Sequence, residues 1–423
     1  MQRLSALLSW AGAFGYSQAV RLRNTETGTV QPLERRDGPV RVYVCGVTPY
    51  DTTHLGHAFT YVTFDVLVRT LRSTGNPVRY VQNVTDVDDD IIRRAGELGT
   101  TWDRLAATET ALFEADLAAL NMQAPDVFPR ASQTIPRIVE LARKLEAQGH
   151  AYVSDGNLYF RVESVTDYGR LSRFSRDEMI RLSRERGADP DDPRKHDPLD
   201  FVLWQRSAAG EPQWPSPWSD GRPGWHIECS AMALQHLGDQ IDIHGGGADL
   251  IFPHHESEIA QSESATGVRP FARIWMHVGM LGYQGEKMSK SLRNLVLVRD
   301  LLQRYDADSI RVLLLRHHYR EAWEYTEDQL KDARDWTDAL GRSPAGGSLP
   351  SVPPGEGLNE TVRPVRHALE DDLDTPKALD LMAELKAAGE PGWREAADLL
   401  GLRLGAPTAA KTKEALGWRA PLS

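Results

Sequence analysis

A short apolar run at residues 40–44 (Val-Arg-Val-Tyr-Val) is the feature that most constrains the fold. Its length and β-branched content read as a buried strand. Cys45-Gly46 ends it, and Thr48-Pro49-Tyr50-Asp51 supplies turn chemistry. A helical period runs over residues 55–72, and a second strand-like run covers 78–82. Strand, turn, helix and strand in that order define the repeating unit of a parallel α/β sheet.

The rest of the chain fits around that unit. Helical segments are expected at about 102–120 and 133–147. Residues 183–198, charged and with several prolines, read as loop within an insertion between two halves of a nucleotide-binding fold. Strand signals resume at 240–244 (Gln-Ile-Asp-Ile-His), and Gly245, Gly246 and Gly247 follow, a sequence that alone fits a tight turn. Helical periodicity covers 297–315, residues 342–358 are a Pro-, Gly- and Ser-rich linker, and two helices are expected near 361–369 and 376–388.

At 423 residues the chain is too long for one ordinary core, and two or three domains are expected. Its net charge of −11 argues against a broad nucleic-acid-binding surface, which needs positive charge. No apolar run has the length of a membrane helix. The stretch 1–19 has a broken apolar segment and is expected to lead into the first strand rather than act as a signal peptide. Two cysteines, Cys45 and Cys229, are too few for a disulfide framework, and both fall in polar, Gly-rich segments.

Three groups of residues carry chemistry. His54-Leu55-Gly56-His57 opens the first helix, with both imidazoles on one face and a glycine that admits a planar group. A helix N-terminus there favours phosphate oxygens. Lys287-Met288-Ser289-Lys290-Ser291 places two lysines on a polar loop, suited to the charge of a transferring phosphate and its leaving group. His254 and Glu258, at i and i+4, can aim at one ion.

The first two motifs, in this order around a parallel-sheet segment, resemble the HIGH and KMSKS signatures of class I aminoacyl-tRNA synthetases, with Leu55 a conservative variant. The segments Asn83-Val84-Thr85-Asp86-Val87-Asp88-Asp89, 221–229, 245–258 and 275–291 are similar to the cysteinyl-tRNA synthetase superfamily, a match over roughly residues 37–330. The resemblance implies an α/β, Rossmann-like catalytic domain over 37–295 with a parallel sheet and an inserted connective segment at about 120–215. An extension (1–36) precedes it, and a stem-contact-like region (296–340) and a C-terminal helical bundle (341–423) follow. It implies one zinc ion on Cys45, Cys229, His254 and Glu258, a donor set that suits tetrahedral zinc. It further implies that Thr48, Thr85 and Trp225 line a cysteine pocket and that Gly247 and Asp249 hold adenosine. Thr60, Asn83 and Ser289 belong to the same ATP and cysteinyl-adenylate set. His54, His57, Lys287 and Lys290 are the catalytic residues, and Mg²⁺ accompanies ATP. Zinc binds a substrate thiolate far better than a serine hydroxyl, which explains selection without editing.

Two acceptors remain open within this superfamily. The segment 48–58, the element Glu185-Arg186-Gly187-Ala188-Asp189-Pro190 and the short stretch after Ser291, with little room for an anticodon-binding domain, resemble the mycothiol-pathway ligase, which joins cysteine to glucosaminyl-inositol. Glu258 as a fourth ligand, the run 255–262 and the run 89–94 resemble the enzyme that charges tRNA(Cys). The expectation leans to the amino sugar, on a cytosolic monomer; a non-catalytic paralogue is the third reading, against which both intact motifs stand.

Overall fold

The computed structural model describes residues 19–50, 53–288, 294–341 and 360–404. The chain begins with an antiparallel hairpin, β1 (Arg21–Asn24) and β2 (Thr29–Pro32), turned through Gly28, whose φ of 71° is left-handed. Its polar sequence hides it from a hydrophobic-period reading. The unit predicted from residues 40–82 follows: β3 (Val40–Val47), α1 (Leu55–Ser73) and β4 (Val78–Val84). His54 caps α1 by accepting the Gly56 N–H at 3.0 Å.

α2 (Asp89–Leu98), α3 (Trp102–Ala119) and α4 (Ile135–Ala147) come next. β5 (Ala151–Ser154), β6 (Asn157–Phe160), β7 (Phe201–Arg206) and β8 (Gly221–Pro223) then form a separate antiparallel sheet in the order β5-β6-β7-β8. α5 (Arg176–Glu185) lies between β6 and β7. This corrects the loop reading of 183–198, because the helix capped by Ser175 runs on to Glu185.

The chain returns to the parallel sheet through α6 (Trp225–Leu237), β9 (Ile241–Gly247), α7 (Glu256–Thr266) and β10 (Ala272–Val278). The sheet order is β10-β9-β3-β4, and all neighbours are parallel. The glycine triplet is therefore strand, not turn: Gly245, Gly246 and Gly247 pair with Met276, His277 and Val278. Glycine is required because a Cβ on Gly245 would stand 2.1 Å from Phe64 Cζ of α1.

β11 (Leu281–Tyr283), β12 (Glu286–Lys287), α8 (Val298–Leu301), α9 (Ala307–Leu315), β13 (Trp323–Glu324) and α10 (Glu327–Gly341) follow. The single helix expected over 297–315 is two, since Asp306 starts a new cap on the Ser309 N–H. The linker 342–358 lies outside the described residues. α11 (Arg363–Glu370), α12 (Thr375–Ala387) and α13 (Trp393–Leu399) pack together at the end.

Strand alternation divides the core in two. Val42 and Val44 point to one face, with α1, α9 and the last helices. Tyr43 and Cys45 point to the other, with α4, α6 and the antiparallel sheet. The chain adds β4 on one side of β3 and later β9 and β10 on the other. The crevice at the carboxyl ends of β3 and β9 is thus the topological switch point, where such sheets bind ligands.

Candidate metal centre and nucleotide site

Four elements meet on the Tyr43/Cys45 face. β3 brings Cys45, α6 brings Cys229, and the stretch leading into α7 brings His254 and then Glu258 one turn later. One donor atom from each of Cys45, Cys229, His254 and Glu258 lies within 4.8 Å of every other. Ligand atoms 2.0–2.3 Å from a tetrahedral zinc stand about 3.3–3.8 Å apart. Here Cys45 Sγ and His254 Nε2 are each 3.6 Å from Glu258 Oε2.

The donors are buried and incompletely answered. His254 Nε2 and Glu258 Oε1 have no hydrogen-bond partner, which is costly unless something binds them. Burial pushes the Cys45 thiol and the Glu258 carboxyl up and pulls the His254 imidazole down. Each shift favours the neutral form, and a dication reverses that preference for the two acids. Two thiols, an imidazole and a carboxylate around one point fit a borderline-soft ion.

The surroundings orient these donors. Asn83 is fully buried, accepts the Gly46 N–H at 2.9 Å and donates to Cys229 Sγ at 3.3 Å. Asn83, expected in the nucleotide set, thus faces the Cys229 thiol. His226 Nδ1 lies 2.9 Å from His254 Nδ1, fixing the ring so that Nε2 faces Glu258. A second set, not expected from the sequence, overlaps the first. His244 and His255, with Cys45 and Glu258, also bring their donors within 4.8 Å. His244 Nε2 is 3.2 Å from Glu258 Oε2. The only sequence signals were a histidine closing a strand and a doubled histidine.

Thr48 and Thr85, at the ends of β3 and β4, share a hydrogen bond of 2.8 Å. Trp225 opens α6 with its ring 4.1 Å from that of His254. A Cβ on Gly247 would lie 2.5 Å from Asp249 Oδ1 and 4.0 Å from Thr60 Oγ1, so these three residues are adjacent. His54 and His57 stack 3.9 Å apart at the start of α1. Lys287 lies on β12, and Ser289 and Lys290 fall outside the described residues.

Residues 30–335 match the family of tRNA synthetases class I (C) catalytic domains, and the chain belongs to it. Within that family it is an ATP-dependent cysteine ligase. It is 50% identical to the L-cysteine:1D-myo-inositol 2-amino-2-deoxy-alpha-D-glucopyranoside ligase of Acidothermus cellulolyticus over 81% of this chain and 84% of that one. It is 42% identical to the cysteine–tRNA ligase of Dehalococcoides mccartyi over 91% of this chain and 86% of the relative. Methionyl-tRNA synthetase of Mycobacterium tuberculosis, bound to methionyl-adenylate, shares the fold at a TM-score of 0.56 and 17% identity, covering 86% of this chain and 82% of that one. No helix among the described residues is long and apolar enough to cross a membrane.

Proposed function

We propose that the protein activates L-cysteine with ATP as cysteinyl-AMP and joins it to the amine of glucosaminyl-inositol. The convergence of Cys45, Cys229, His254 and Glu258 carries the choice of cysteine. The 50% identity to the amino-sugar ligase supports the choice of acceptor.

In this reading the four donors hold zinc, which when bound selects a thiolate over a hydroxyl. Thr48, Thr85 and Trp225 position the amino acid, and Thr60, Gly247 and Asp249 hold adenosine. Cysteine's carboxylate oxygen attacks the α-phosphorus and pyrophosphate leaves. His54 and His57, at a helix N-terminus, stabilise the phosphates, with Mg²⁺ accompanying ATP. Lys287 and Lys290 clamp the pyrophosphate, and Ser289 contacts the nucleotide. The acceptor amine then attacks the carbonyl, loses a proton and releases AMP. Two free thiols suit a reducing cytosol, where the chain works as a monomer.

Transfer to tRNA(Cys) is the second reading, favoured by Glu258 within the donor set. Purified protein given cysteine and ATP, then glucosaminyl-inositol or tRNA(Cys), separates the two. The amide product is expected; cysteinyl-tRNA without amide overturns the acceptor.

A further inference from the structure

The inserted segment between β6 and β7 grips the stretch that carries Asp249 and two of the four candidate metal donors, His254 and Glu258. Backbone N–H groups of Leu171 and Ser172 donate to the Glu256 carboxylate at 3.3 and 2.9 Å. Tyr168 Oη lies 3.2 Å from Ser257 Oγ, and Arg170 pairs with Glu263. At the other end of the grip, Arg186 Nη1 donates to the backbone carbonyl of Asp249.

Local sequence explains that last contact from both sides. α5 ends at Glu185, with Arg186 as its C-cap, followed by Gly187 at a φ of 88°. The Ala188 N–H returns to the Ser183 carbonyl at 3.0 Å, the six-to-one bond of a Schellman stop. Glycine thus fixes where the helix ends and where Arg186 is presented. On the receiving side, Asp249 sits in the single turn Ala248–Leu250. In a continuous helix its carbonyl would take the N–H four residues on. That residue is Pro253, which has none. A side-chain donor from the insertion takes up the acceptor that proline leaves.

We propose that Arg186 is a positioning residue of the nucleotide site. Its guanidinium holds the Ala248–Leu250 turn so that the Asp249 carboxylate, next to Thr60 and Gly247, points at the ribose hydroxyls. Arg186 touches no reacting atom; it acts through Asp249. The inference rests on the cysteine-activation reading and is independent of the acceptor.

Cysteine-dependent exchange of pyrophosphate into ATP, measured on the full chain, tests it. Arg186→Ala should raise KM for ATP about 10-fold, the scale of a lost charge-assisted hydrogen bond. kcat and KM for cysteine should stay within about twofold. The preference for ATP over 2′-deoxy- and 3′-deoxy-ATP should fall to that of Asp249→Ala. Arg186→Lys should restore most of it, and the double variant should lose nothing further. A merely structural role would weaken ATP and its deoxy analogues equally. That result, or an unchanged KM, overturns the inference. Absence of exchange in the unaltered protein would instead sink the activation reading.

Discussion

Glu258 and Arg311 are both wholly buried, one on each side of the parallel sheet, and their surroundings answer their charges very differently. Arg311, on α9, donates to Asp65 Oδ2 at 2.7 Å, to the Leu120 carbonyl at 2.9 Å and twice to the Leu400 carbonyl at 3.1 and 2.8 Å. Asp65 in turn accepts from Arg69 Nε at 2.9 Å and from the Gln123 N–H at 2.8 Å. This cluster ties the ends of α3 and α13 to α1 and leaves little chemistry unspent. Glu258, on α7, has an oxygen with no hydrogen-bond partner and faces other donors in the same condition. A buried polar group that is fully bonded is scaffold; a cluster of metal-type donors left incomplete is a candidate binding site.

The largest expected effect lies on the incomplete side. Cys229→Ala or Cys45→Ala should lower metal affinity by more than the 10–100-fold that losing a supporting hydrogen bond costs. Pyrophosphate exchange should disappear with the metal. Metal content after dialysis, read beside a cooperative unfolding curve, checks this. Stoichiometric metal in either variant would dissolve the contrast between the two clusters.

The complete side should fail in the opposite way. Arg311→Met takes one of the two guanidinium partners from Asp65 and leaves the Leu120 and Leu400 carbonyls without their donor, and should destabilise the fold by about 3 kcal/mol, with exchange per folded molecule unchanged. Gly401→Ala is a second route to the same break. A Cβ there would stand 2.1 Å from Arg311 Nη2, at a φ of 69°. Denaturant melts give the stability; a lowered kcat in the folded fraction would show that the scaffold cluster reaches the chemistry.

These two clusters also mark what the sequence could and could not reveal. The β3–α1–β4 unit was legible because strands and helix each keep one period over their length. The convergence of Cys45, Cys229, His254 and Glu258, and the pairing of His54 with His57 at the start of α1, were legible from motifs that the superfamily shares. The antiparallel sheet β5–β8 was not, since its strands are short and long polar segments join β6, β7 and β8; the two-residue Asp155-Gly156 turn between β5 and β6 was the signal that could have found its first hairpin. Nor was the Asp65–Arg311 pair: its partners lie 246 residues apart, and a charged residue within a helix reads as solvated until packing is known. His244 and His255 were missed for a related reason. A histidine is informative only with its neighbours in space, and His244 on β9 meets His255, just before α7, only in the folded chain, their rings 4.8 Å apart.

A smaller effect probes how far the incomplete side depends on its support. Asn83→Ala removes the bridge between the Gly46 N–H and Cys229 Sγ. It should cost about 10–100-fold in metal affinity while leaving most of the stability in place. Competition with a chelator of known affinity measures it. Loss as large as that of Cys229→Ala would mean that Asn83 holds the thiol's position outright.

The smallest effect tests whether the scaffold side is complete throughout. Asp308, near Arg311, accepts the Arg403 N–H at 3.0 and 3.1 Å, yet burial raises its carboxyl to about 6. Since the folded pKa lies above the unfolded one, its ionisation works against the fold. The contribution is neutral below the unfolded pKa, near 3.9, and turns unfavourable as pH rises towards about 6. Asp308→Asn keeps an acceptor for Arg403 and removes the charge. It should therefore stabilise the protein at pH 8 by about 1 kcal/mol, after allowance for solvent screening, and change little at pH 4. Melts at the two pH values decide it. Equal stability at both would mean that the Arg311 cluster offsets this charge as fully as it does that of Asp65.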